Sequence, residues 1–227
     1  MPKRSKRYKK GKELVEKSKV YSIEEALLLL QKFPRAKFDE SVEVHFKLGI
    51  DSEKTQQQVR GSVDLPHGSG KKLRIAVFTD NPEKLKEAEE AKAQVFGGES
   101  LIEEIRNGKS LDFDTAIATP DIMPKLARIA KILGPRGLMP NPKSETVTDN
   151  IRGVIEKLNK GKVAFKNDKS GNVHLIIGKI SFPTGDLKEN YESAKKSLEG
   201  AKPEGVKGKF IRSISLSTTM SPSVKVA

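Results

Sequence analysis

Arg136 and Lys143 punctuate the most unusual stretch of the chain, Gly134-Pro135-Arg136-Gly137-Leu138-Met139-Pro140-Asn141-Pro142-Lys143. Two cations on a stiff loop suit one kind of chemistry, the holding of anions. Gly134 and Gly137 allow backbone angles closed to other residues, while the three prolines fix φ and withhold amide donors. Pro140 and Pro142 also push Met139 and Asn141 towards extended conformations. No helix can run through such a segment. It reads either as a structural turn or as a shaped loop presenting its cations. A Gly-x-x-Gly pair also serves as a backbone clamp in KH modules. That clamp needs a helix directly after it, and the two following prolines argue against one.

Catalytic chemistry finds little support. Gly68-Ser69-Gly70-Lys71-Lys72 is superficially similar to a phosphate loop. A Walker motif needs Gly where Leu65 stands, Ser or Thr where Lys72 stands, and a helix to follow; here the pattern predicts a strand. No Gly-x-Gly-x-x-Gly is present. His45, His67 and His174 fall on three different elements, and without cysteine or suitably spaced carboxylates they do not form a metal set. Asp112 and Asp114 have no nucleophile or base to pair with. The residues argue against an enzyme and call for neither cofactor nor metal.

The charge balance points elsewhere. The 227 residues carry 43 Lys and Arg against 30 Asp and Glu, a net +13. Such an excess suits nucleic acid first and an anionic membrane second. The longest apolar run, Ala26 to Leu30, is too short to cross a bilayer. The absence of cysteine suits a reducing compartment, and with no secretory signal the expected location is the cytoplasm, away from membranes. The excess is unevenly spread. Residues 68–160 hold 16 basic and 14 acidic side chains, a net +2, so the flanks together hold +11.

The elements that must position these groups can be read in order. Residues 1–12 contain seven Lys or Arg and no acid, and are expected to be mobile when free, whether as a solvated tail or as one that orders on phosphate. Ser22 and Glu25 form a capping box for a helix that Pro34 ends. From Phe38 the period is two: Val42, Val44, Phe46, Leu48 and Ile50 share a face, and by parity Phe38 joins them in the core. Gln58 to Leu65 reads as the partner of that strand. The Pro66–Gly70 breaker cluster marks a boundary. Strands at Leu73–Thr79, Val95–Phe96 and Thr115–Ala118 then alternate with helices at 82–91, 100–106, 126–133 and 149–158, which implies a mostly parallel sheet covered on both faces. After Gly161, Val163 and Phe165 lead into a tight turn at 167–171, and Val173, Leu175 and Ile177 run back. A helix over 187–198 and an alternating stretch over 210–216 follow. The expected class is α/β: an α+β split domain of antiparallel strands with helices (residues 1–67 and 161–227), interrupted by an inserted Rossmann-like α/β domain (68–160). The chain crosses between them twice, and Gly68, Gly70 and Gly161 supply hinge-like backbone there.

Four stretches resemble the L-one family of large-subunit ribosomal proteins: 36–43, 59–68, 132–143 and 217–224, of which the third is the most specific. The resemblance implies a protein of the lateral stalk that binds 23S rRNA, assists departure of deacylated tRNA from the exit site, and represses its own operon mRNA. It also implies a monomer when free. The alternative is a translational repressor acting mainly off the ribosome on the same surface. Carried over by position, the implied RNA contacts are Lys37, Phe38, Ser41, Glu43, Thr219, Met220 and Ser221. Hydroxyls suit 2′-OH groups, Phe38 and Met220 suit sugar or base faces, and Lys37 suits a phosphate. The family usually has Thr at Ser41 and Gly at Ser221.

Overall fold

A computed structural model describes residues 5–16, 19–52, 54–108, 111–206 and 208–227, with Thr55 and Lys143 described by backbone alone. In chain order the main elements are α1 (Lys6–Glu13), α2 (Ile23–Lys32), β1 (Ser41–Leu48), β2 (Arg60–Asp64), β3 (Ile75–Phe78), α3 (Pro82–Glu90), β4 (Val95–Gly97), α4 (Glu99–Arg106), β5 (Thr115–Ala118), α5 (Met123–Leu126), α6 (Ala130–Leu133), α7 (Ile151–Lys160), β6 (Lys162–Lys166), β7 (Asn172–Lys179), α8 (Thr184–Gly200), β8 (Ile211–Thr218) and β9 (Val224–Val226). They group into two compact units, residues 1–71 with 161–227, and residues 72–160. Parallel and antiparallel sheets both occur, and the class is α/β.

In the first unit a four-stranded antiparallel sheet runs β7-β1-β8-β9. Alternation dictates its faces: Val42, Val44, Phe46 and Leu48 of β1 are buried, and the residues between them are not. Helices α2 and α8 cover the apolar face, contributing Leu27, Leu30, Leu187, Tyr191 and Leu198 to one core. The Phe46 and Tyr191 rings lie 6.5 Å apart and nearly parallel. The Ser22 and Glu25 capping box is formed, and α2 ends before Pro34.

Several expectations need correction. β2 pairs with β6 in a separate two-stranded sheet, not with β1. Glycine permits this pair, because a Cβ on Gly61 would meet the Phe165 ring opposite at 2.9 Å. β6 and β7 therefore do not form a simple hairpin; one isolated bridge, Asn167 to Val173, links them. The Asp168 carboxylate accepts from the amides of Ser170 and Asn172, and the chain changes sheets across that turn. The terminal strand β9 is an addition to the sequence reading. So is α1 (Lys6–Glu13), a helix over the described part of the segment 1–12 expected to be mobile. Its N-cap is Ser5, Gly11 packs closely on Pro222 and Phe33, and Arg7 pairs with Glu40. Residues Met1–Arg4 of that tail lie outside the described residues.

The second unit is a three-stranded parallel sheet in the order β4-β3-β5. One core lies on each side, one built with α4, α5 and α6 and the other with α3 and α7. Asn81 caps α3, with Pro82 at its first position. The helix expected over 126–133 is instead broken into α5, a 3-10 turn and α6. Ile122, Leu126, Ile129 and Leu133 nevertheless share one buried face, so the sequence period survives the break.

Candidate nucleic-acid interface

The sheet brings two segments, 37–43 and 217–221, to one end of the first unit. β1 begins there and β8 ends there, with Val42 opposite Thr218. The Ser41 amide donates to Thr219 Oγ1 at 3.1 Å, and the Thr219 amide donates to the Ser41 carbonyl at 3.1 Å. Two hydroxyl residues named from sequence are thus stapled together.

Glu40 organises this end. It is only 5% exposed, a burial a carboxylate tolerates only when paired and hydrogen-bonded. Its oxygens accept from the Ala36 amide at 2.9 Å, the Met220 amide at 3.1 Å, the Thr218 hydroxyl, and the Arg7 guanidinium at 3.2 Å. Burial alone would raise its pKa. The hydrogen bonds from Thr218, Ala36 and Met220 and the Arg7 charge outweigh burial, so the carboxyl is held below its ordinary value. Lys179 Nζ donates to Ser41 Oγ at 2.9 Å and reaches the Asp39 carbonyl at 3.4 Å. Arg7, Glu40 and Lys179 were not singled out from the sequence. Lys179 is opposite Ser41 only because of the β1–β7 register, which no local pattern reveals.

Around this frame four residues face outward. Lys37 and Thr219 are exposed, Phe38 is 54% exposed and Met220 52%. The parity argument for Phe38 therefore fails: β1 starts at Ser41, the buried parity reaches back only to Glu40, and the chain bends at Lys37 and Phe38. Glu43 lies half-buried on the open sheet face. Ser221 turns its hydroxyl inward, accepting from the Thr218 amide at 2.8 Å and donating to the Pro222 carbonyl at 2.9 Å. Its φ is not positive, so the turn makes no conformational demand for the family's usual glycine.

The open sheet face also carries a histidine pair. Nδ1 of His45 and Nδ1 of His174 are 2.7 Å apart, and His45 Nε2 lies 2.9 Å from Ser217 Oγ. One ring must donate and the other accept, so the contact requires at least one neutral ring. Burial first, then the His174 charge, lowers the His45 pKa from its ordinary 6.5, against the opposing pull of Glu43. The sign follows: as pH falls below 6.5 the unfolded chain takes up a proton sooner than the folded one, so stability falls. His67 works the other way, raised by its hydrogen bond to Glu189 and by Asp186, with stability lost as pH rises through its folded value. At each pH a His45→Gln variant should therefore be compared directly with the parent. The gap in melting temperature should shift in the variant's favour below pH 6.5; a gap constant with pH would count against the assignment.

The proline-rich loop reads in the structure as a tied turn with an exposed tip. Leu138 and Met139 pack on the second unit's core, while Arg136 and Gly137 are exposed, with Gly137 at φ 72°. The Asn141 amide donates to Thr146 Oγ1 at 2.8 Å, and the Ser144 hydroxyl donates back to the Asn141 carbonyl. The Lys143 side chain lies outside the described residues.

At the crossings, Gly68, Gly70 and Gly161 have φ of 68°, 68° and 117°. A Cβ on Gly161 would lie 2.4 Å from the Gly68 Cα, so the outgoing and returning chains touch at their glycines. The fully buried Asn190 pins the first of them: its Nδ2 donates to the carbonyls of Gly68 and Ile177, and its Oδ1 accepts from the His67 amide.

Among the described residues no three His, Cys, Asp or Glu side chains are grouped to hold a metal ion, and no helix is long and apolar enough to cross a membrane. The family model described as "Ribosomal protein L1p/L10e family" matches residues 30–222. Among similar curated proteins, each named large ribosomal subunit protein uL1, that of Persephonella marina is 52% identical over the whole chain and 94% of its own length. That of Deinococcus radiodurans is 50% identical, covering 100% and 97%. That of Thermus thermophilus is 49% identical, covering 100% and 98%.

Proposed function

The chain belongs to the Ribosomal protein L1p/L10e family, a structural constituent of the large ribosomal subunit and not an enzyme, and from that premise we propose that it binds 23S rRNA through the end of the sheet organised by Glu40. The observation that carries this reading is the stapling of 37–43 to 217–221. It leaves a cation, two exposed apolar side chains and two hydroxyls on one surface that no element of the unit covers. Such a mixture suits RNA, where phosphate, sugar hydroxyls and base faces are met together. The concentration of net positive charge in residues 1–67 and 161–227 supports the same assignment. Lys37 supplies the test. Replacing it with alanine should reduce the slope of log affinity against log salt by about 0.7 to 0.9, one phosphate contact, on a 23S rRNA stalk transcript. An unchanged slope, or failure of the parent protein to co-sediment with large subunits at moderate salt, would sink the assignment.

The same surface would serve the operon mRNA if that message presents a similarly shaped site, giving repression without a second binding region. Cytoplasmic location, on the ribosome, follows from the role. For assistance to exit-site tRNA, we propose that the inserted unit, residues 72–160, is a domain that moves on the glycine-bearing crossings. Because Asn190 holds Gly68 to the first unit, bending is assigned to the chain from Gly70 onward and at Gly161. Solution scattering from the free monomer should need a mixture of interdomain distances, and RNA should narrow it. A single rigid shape under both conditions would overturn the hinge.

A further inference from the structure

We propose a second RNA contact, a groove at the far end of β8 that binds the phosphate backbone of the same RNA; this rests on the rRNA-binding reading above. The groove, about 570 Å³, lies between the C-terminal half of α8, the start of β8 and β9. Lys195, Lys202, Lys209, Arg212 and Lys225 line it, with Glu199 as the one acidic side chain. Among the described residues the five groove cations make no ion pair.

Five like charges around one concavity repel one another, and the fold gains nothing from gathering them. A polyanion would relieve that repulsion. The floor adds a second property: Phe210 and Ile214 are nearly buried beneath it, and Val20 is 46% exposed at its lip. Cations above an apolar floor suit a nucleotide, which offers a phosphate and a flat face together. An acidic peptide would satisfy the charge alone. Position favours RNA as well. β8 runs from Arg212 in the groove to Thr218 at the other site, six residues or about 20 Å of strand. Both sites lie on β8, so one RNA could reach both, whereas a separate peptide would have no such continuity.

The test uses the full chain with Lys202→Gln, Lys209→Gln and Arg212→Gln combined. All three side chains are exposed, so melting temperature should hold. A control loses the same charge from exposed positions elsewhere, Lys86→Gln, Lys92→Gln and Arg106→Gln. Binding is measured across a salt series with a 23S rRNA stalk transcript and, separately, with labelled poly-glutamate. The groove variant should lower the salt slope by about 2 to 3, at 0.7 to 0.9 per lost phosphate contact, and the control should leave it unchanged. If the triple variant melts early, each single variant should lower the slope by about 0.7 to 0.9. An unchanged slope, an equal loss in the control, or loss of poly-glutamate binding with RNA binding intact would overturn the proposal. A Thr219→Ala, Met220→Ala protein separates the two readings. If it loses affinity while the groove variant keeps its slope, the groove alone fails; if the parent chain does not bind the transcript, both fail.

Discussion

Replacing Glu40 with alanine should destabilise the first unit by about 3 kcal/mol and abolish tight RNA binding. The reason is geometric. The carboxylate is almost wholly buried and accepts from four donors that come from three separate parts of the chain. Removing it strands the Ala36 and Met220 amides and the Thr218 hydroxyl, each costing about 1–3 kcal/mol if left unpaired, and frees Arg7. Arg7 is partly solvated, so its share is at the low end, and relaxation of the 218–221 turn recovers some of the rest. That relaxation is what should destroy binding, because the turn presents Thr219 and Met220. Glu40→Gln is the informative companion. It keeps volume but turns a donor towards donors, so it should lose affinity with a smaller drop in melting temperature. The pH dependence supplies a further check. The folded pKa of Glu40 is depressed, so its contribution is present above the unfolded carboxylate range and lost as pH falls through the folded value. Parent and Glu40→Gln stabilities should therefore converge in acid. Parallel curves, or a Glu40→Ala protein with normal affinity, would show that the carboxylate does not hold this surface.

Glu40 also marks the limit of what the sequence shows. A local rule reads Ser22 and Glu25, because a capping box closes within three residues. Alternation reads the buried face of β1, because a strand exposes every second side chain whatever its partner. The partner is another matter. β2 alternates acceptably beside β1, yet it pairs with β6, since the choice depends on where Phe165 meets Gly61 more than a hundred residues later. Helix α1 lacks apolar periodicity, and what holds it is an ion pair to Glu40 and the close approach of Gly11 to Pro222. Phe38 shows the same limit from the other side. Parity places it in the core, but the strand starts only at Ser41 and the bend at Lys37 and Phe38 turns the ring outside. A carboxylate flanked by Asp39 and Ser41 looks solvated until its three distant donors, Arg7, Thr218 and Met220, are known.

Truncating Thr219 and Met220 together to alanine should weaken RNA binding by about 2–6 kcal/mol, at roughly 1–3 kcal/mol for each lost specific contact. Two features of the structure sharpen this expectation. Met220 is 52% exposed, so its truncation removes no core packing and should leave the melting temperature nearly unchanged. Thr219 is less innocent. Its Oγ1 accepts from the Ser41 amide, and alanine would leave that amide to water at an exposed position, a loss of about 1 kcal/mol. Its own amide bond to the Ser41 carbonyl survives the change, so the strand ends stay registered. Neither residue is charged, and the salt slope should stay at its parent value while affinity falls at every salt concentration. That is the opposite signature to Lys37→Ala, where the slope shrinks. Single variants separate the contributions: Met220→Ala should act on affinity alone, and Thr219→Ser, which restores the acceptor, should recover most of what Thr219→Ala loses. Binding isotherms at several salt concentrations beside thermal melts distinguish the outcomes. Wild-type affinity in the double variant would place the recognition surface elsewhere on the protein. A fall in melting temperature matching the fall in affinity would make Met220 a packing residue, against its observed exposure.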